Sequence, residues 1–185
     1  FCASLLLLYR KGIIDQTDQS AHNQAYEELQ VEYKDAERDK EAVCAAIETI
    51  SLFFVSDSVT KFLRRKAQLY TLFSVVFYMQ RENIEIEQCQ KDHLESFVKL
   101  YSIFDNDMDL TGEISDQEKT LFDWLKKYKL ASSEGLNKHT NRMIRYNVMK
   151  DFLFGLTDEL EAAQLTLYEK MQANSTVVVK EDPED

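Results

Sequence analysis

Proline and glycine are nearly missing: the 185 residues hold 1 Pro and 4 Gly, and the proline stands at position 183. These residues supply most tight turns and hairpin corners, so their scarcity argues against a protein of short strands and favours helices. Cysteine is also sparse. Cys2, Cys44 and Cys89 lie far apart and form no C-x-x-C or Cys/His ligand spacing, which argues against a disulfide framework or a zinc site. Cys44 and Cys89 fall inside helical patterns and are expected to be buried, reduced thiols of a cytoplasmic protein. The apolar run Leu5-Leu6-Leu7-Leu8 with its neighbours is about half of what a bilayer span needs and follows no basic segment. Neither a membrane helix nor a signal peptide is expected. Cations are outnumbered, 22 Lys and Arg against 33 Asp and Glu, giving a formal net charge of -11. Such a balance opposes non-specific association with nucleic acid or an anionic membrane, so a polyanionic partner must meet a local basic patch.

What is present suits one domain with a real core: 44% of the residues are hydrophobic and 11% aromatic. An apolar helix is expected over 1–11, stopped by Gly12, which can take the left-handed C-cap conformation. Tyr26, Leu29 and Tyr33 mark a thin amphipathic helix over 23–33, and Val43, Ile47, Ile50 and Phe54 a stripe over 40–55. The segment 59–80, with Phe62, Leu63, Leu69, Tyr70, Leu72, Phe73, Val75, Val76 and Phe77, is apolar nearly all round and is predicted to be the central helix. Further helices are predicted over 88–104, 115–129, 141–154 and 157–171. The fold class is therefore all-α, a single bundle of about seven to eight helices over 1–172, with a disordered acidic tail over 173–185. The opening on Phe1 reads as a helix already under way, so the chain is expected to be the carboxy-terminal part of something larger.

Three constellations could carry function. The run Asp107 to Glu118 places oxygens where a calcium loop wants them, with Asp107, Asp109, Thr111, Glu113, Ser115 and Glu118 as metal candidates and Gly112 at the turn. The bland alternative is a solvated loop in which Asp107 or Ser115 caps a helix. The second is Arg64-Arg65-Lys66 at the head of the most hydrophobic helix. Cations there oppose the helix dipole, so a phosphate, a neighbouring carboxylate or a missing domain is expected to answer them. The third is Asn137-Lys138-His139 followed by Arg142 and Arg145, three apart on one helix face. These side chains grip either phosphate oxygens or internal carboxylates. Enzymatic chemistry finds no support: His22, His93 and His139 are scattered, and neither an H-E-x-x-H motif nor a Gly-rich phosphate loop occurs.

The stretch Phe62-Leu63-Arg64-Arg65-Lys66-Ala67-Gln68-Leu69-Tyr70-Thr71-Leu72-Phe73, taken with Ala131-Ser132-Ser133-Glu134-Gly135-Leu136-Asn137 and the later Arg142-Met143-Ile144-Arg145, resembles the helical carboxy-terminal half of the GmrSD-type bacterial proteins. In that family a helix carries an R-K-x-x-x-Y-x-L-F pattern, and a small-residue, Gly, Asn segment precedes paired arginines. The opening helix and Gly12-Ile13-Ile14-Asp15 fit as well, so the resemblance covers most of residues 1–155. It implies a cytoplasmic, non-catalytic regulatory or recognition half of an anti-phage restriction protein. Catalysis would lie in a preceding ParB-like nucleotidase domain, whose acidic-Gly-Gln-Gln-Arg motif this chain lacks. The implied partners are that domain or DNA, met through Arg64, Arg65, Lys66, Asn137, Lys138, Arg142 and Arg145, with no membrane role and no cofactor unless the 107–118 loop takes calcium. A helical scaffold without nucleic-acid contact and a calcium-binding module are the alternatives.

Overall fold

The segment expected to be the central helix carries more buried residues than any other described helix. The structure, a computed structural model, describes residues 1–30, 32–105, 108, 110 and 113–178, with side chains as far as residue 174. Among the described residues there are nine α-helices and no strand: α1 (Cys2–Lys11), α2 (Ser20–Leu29), α3 (Ala36–Ser51), α4 (Asp57–Leu63), α5 (Lys66–Glu82), α6 (Gln88–Ile103), α7 (Asp116–Ala131), α8 (His139–Phe154) and α9 (Asp158–Val178). The all-α expectation holds, and no described helix is long and apolar enough to cross a membrane. The expected end of the last helix at residue 171 is passed by α9, and the part of the expected tail over 179–185 lies outside the described residues.

Helix α5 packs against α1, α3, α4 and α8, while α8 in turn packs against α6 and α7, and α9 covers α6 and α7. At the centre Phe97 is fully buried and meets the rings of Phe62, Tyr101, Tyr128 and Phe152 at centroid distances of 4.9–5.9 Å. Burying such a ring stabilises the fold by roughly 2–3 kcal/mol, with about 1 kcal/mol more from each good edge-on contact.

Nine helices rather than seven or eight follow from one break. The segment 59–80, expected as a single helix, divides at Arg64-Arg65, where Arg65 is extended (φ -77°, ψ 119°) and its carbonyl starts α5 by accepting from the amides of Gln68 and Leu69. Arginine and lysine are good helix formers, so propensity does not cause the break. Packing does: α4 buries Val59, Phe62 and Leu63 beside α6, whereas α5 faces α1, α3 and α8, and one straight rod could not serve both.

Other expectations are corrected by burial. Helix α3 buries Asp39, Ala46 and Ile50, followed by Phe53, whereas Ile47 and Phe54 of the expected stripe are half exposed. Helix α2 spans Ser20–Leu29 rather than 23–33 and has no buried residue; Tyr26 is 63% exposed. Cys44 and Cys89, expected inside, are exposed, as is Cys2. Gly12 ends α1 with its amide donating to the Leu8 carbonyl and a positive φ of 75° that suits glycine, but its ψ of -160° lies outside the left-handed C-cap conformation expected there.

Candidate functional site

Residues far apart in sequence converge where α1, α5 and α8 meet. Phe1, Ser4, Lys66, Ala67, Tyr70, Leu136, Asn137, Arg142 and Arg145 line a cleft of about 320 Å³. Lys66 and Ala67 are the first two residues of α5, whose N-cap residue Arg65 makes no side-chain cap, so the amide-rich positive end of a long helix opens here. Gly135, at φ 55°, turns the chain into α8; a Cβ there would stand 3.0 Å from the Lys138 side chain and 3.1 Å from that of Asn141, so this corner needs glycine. The turn delivers Asn137, Arg142 and Arg145 to the cleft.

Both arginines are buried, Arg142 to 6% exposure and Arg145 to 1%. Arg142 donates to the Ile14 carbonyl (3.1 Å), the Tyr70 hydroxyl (3.1 Å), Gln16 Oε1 (3.0 Å) and Asn137 Oδ1 (3.1 Å), and its guanidinium lies over the Tyr70 ring, 4.2 Å from the centroid. Its Nε is buried and has no hydrogen-bond partner among the described residues. Arg145 donates to the Leu136 carbonyl (2.7 Å), to Thr71 Oγ1 (3.3 Å) and to the Ala131 carbonyl. Every one of these acceptors is neutral, and neither arginine forms an ion pair with a described carboxylate.

Two buried positive charges therefore stand close together with no described carboxylate in direct ion-pair contact. Burial disfavours the charged form of each, and on Arg145 the neighbouring Arg142 adds to that. Asp15 is the acidic group that offsets this for Arg142, but its oxygens accept from the Thr17 hydroxyl (2.6 Å), the Thr17 amide (2.9 Å) and the His139 amide (3.2 Å), which together hold its pKa below the usual range. Tyr70, buried beside the arginines, has its phenol pushed up by burial while they pull it down.

Of the residues expected from sequence, the fold brings Lys66, Asn137, Arg142 and Arg145 together and leaves Arg64 exposed and apart. Arg65 faces a different cleft, and the side chain of Lys138 buttresses Gly135 while its carbonyl accepts from the Arg142 amide. Sequence reasoning missed Tyr70 as a site residue, although it stands one helical turn after Lys66, and missed Gln16 and Ile14, which arrive from a loop more than a hundred positions away in sequence.

Of the calcium-loop candidates, Glu113, Ser115 and Glu118 are described. Asp107, Asp109, Thr111 and Gly112 lie outside the described residues. Ser115 and Glu118 form a reciprocal capping box at the start of α7, and the Glu118 carboxylate also accepts from Lys170 at 2.8 Å. Burial raises the Glu118 pKa, but Lys170, the Ser115 amide and Thr166 outweigh it and bring the value down to about 2. The Glu113 carbonyl accepts from Lys170 as well. Among the described residues no group of three or more His, Cys, Asp or Glu side chains is placed to hold a metal ion.

The histidines are dispersed. His22 Nε2 is 3.1 Å from Ser4 Oγ, and His93 lies between the Leu153 carbonyl and Glu161. No protein-family model, curated protein or solved structure gives a significant match to this chain.

Proposed function

We propose that the chain is a non-catalytic helical recognition module that takes a phosphate-class anion in the cleft between α1, α5 and α8. The observation that carries this reading is the pair of buried arginines, Arg142 and Arg145, held by neutral acceptors only and joined at the cleft by Lys66 and the uncapped end of α5. An oxyanion there supplies the missing charge and acceptors for Lys66 Nζ, the Lys66 and Ala67 amides and Asn137. This fits the GmrSD-type resemblance, in which the anion is a phosphate of DNA or of a nucleotide handled by a ParB-like nucleotidase domain of the same protein. Tyr70 and Lys66 in the R-K-x-x-x-Y pattern are then cleft residues, and Arg142 and Arg145 the paired arginines.

Titration with inorganic pyrophosphate, followed at this cleft by the Ala67 and Asn137 amides of the isotope-labelled chain, tests the reading. Lys66 is exposed, so Lys66→Gln should fold normally and bind at least about tenfold more weakly than the unaltered chain, a loss of roughly 1.4 kcal/mol. Lys126→Gln, which removes the same charge on the exposed face of α7, should bind like the unaltered chain. Equal affinity in the Lys66 and Lys126 variants, or no saturable binding by any of them, would refute the assignment.

A further inference from the structure

A second basic cleft opens on the other side of the α4–α5 break, formed by different residues. Ser58, Lys61, Phe62, Arg65, Val98, Tyr101, Ser102 and Lys129 enclose about 350 Å³. Lys61 belongs to the last turn of α4, Arg65 is the residue at which the chain turns into α5, and Lys129 sits in the last turn of α7. Lys129 lies 4.5 Å over the Tyr101 ring and donates to the Phe104 carbonyl at 3.2 Å, which leaves two of its three hydrogens uncommitted. Lys61 and Arg65 form no ion pair with a described carboxylate. The Ser102 hydroxyl donates to the Lys99 carbonyl, so the three cations provide the binding groups while the apolar floor of Phe62, Val98 and Tyr101 is nearly closed to solvent.

The cations work against one another. Burial lowers the Lys129 pKa, and Arg65 lowers it further, while Asp105 raises it without reversing the direction. In a chain of net charge -11, three cations gathered in a concave space go against the background, and what relieves them is an anion small enough to enter. The net charge of the chain opposes a polyanion or a membrane surface, each of which presents many charges at once, more than it opposes a single compact oxyanion.

We infer that the cleft of Lys61, Arg65 and Lys129 is a second anion site, taking a small free phosphate-class oxyanion, independently of the cleft at Arg142 and Arg145. Inorganic pyrophosphate, followed by amide spectra of the isotope-labelled full chain, is the probe. In the unaltered protein the amides of Arg65, Ser102 and Lys129 shift saturably. In Lys61→Gln/Lys129→Gln those shifts are lost or need at least about tenfold more pyrophosphate, while the Ala67 and Asn137 amides at the first cleft respond as before. Lys66→Gln has the opposite effect, so loss of one site is separable from loss of the other. If the double variant does not fold, Lys61→Gln alone, at an exposed position, is read in the same way. The site is refuted if Arg65, Ser102 and Lys129 stay still in the unaltered chain, if the lysine variants shift them equally well, or if a single-stranded oligonucleotide moves them and pyrophosphate does not.

Discussion

Arg145 is as buried as a core leucine, yet its guanidinium meets only carbonyl and hydroxyl oxygens. Replacing it with methionine fills similar space but strands the Ala131 and Leu136 carbonyls that shape the turn before α8, and should cost about 3 kcal/mol, read from the urea midpoint. Lys66→Gln should change stability by no more than about 0.5 kcal/mol, since that side chain is exposed and serves the cleft rather than the fold. Glu118 behaves differently again. Its carboxyl titrates at about 2 when folded against an ordinary value of 4.5, so it contributes stability that is present above pH 4.5 and lost as pH falls through about 2. Acid unfolding of Glu118→Gln should therefore lack part of the decline that the unaltered chain shows across that window. At this scale the sequence exposed the charged donors, because a Lys and two Arg in so acidic a chain stand out. It could not expose their acceptors: Ile14 and Gln16 become partners of Arg142 only when the 13–19 loop reaches α8, and Tyr70 only when α5 packs against α8.

Helices were legible where the buried face was built of large apolar residues, as in α5 and α6, and misread where it was not. In α3 the inward face carries Asp39 and Ala46, and nothing in the pattern marks an aspartate as interior. It is tolerated because Arg10 (2.6 Å), Tyr33 (2.6 Å) and Arg38 (3.3 Å) all donate to it. The break between α4 and α5 was hidden for another reason: both sides are helix-forming and only the need to pack in two directions separates them. Two outcomes belong here. Asn83 ends α5 in the left-handed region at φ 53°, so Asn83→Gly should leave stability unchanged or raise it slightly, whereas Asn83→Ala should lower it by about 1 kcal/mol, both read by thermal unfolding. Helix α2 buries no residue and docks on α1 alone, so its amides should exchange with solvent fastest among the helices, well ahead of those in α5.

On the scale of the whole molecule, a net charge of -11 surrounds two concave places where cations gather, and both border the chain between Lys61 and Tyr70. That arrangement explains why Arg64-Arg65-Lys66 looked misplaced at the head of a helix: Lys66 turns to one cleft and Arg65 to the other. Binding at either should weaken as salt rises, since part of the attraction is screened. The amide spectrum of the labelled chain titrated with pyrophosphate tests the recognition reading most directly. Saturable shifts of the Lys66, Ala67 and Asn137 amides in the unaltered chain, lost in folded Lys66→Gln, are the expected result. Amides that stay in place at the cleft while the chain remains folded would contradict it.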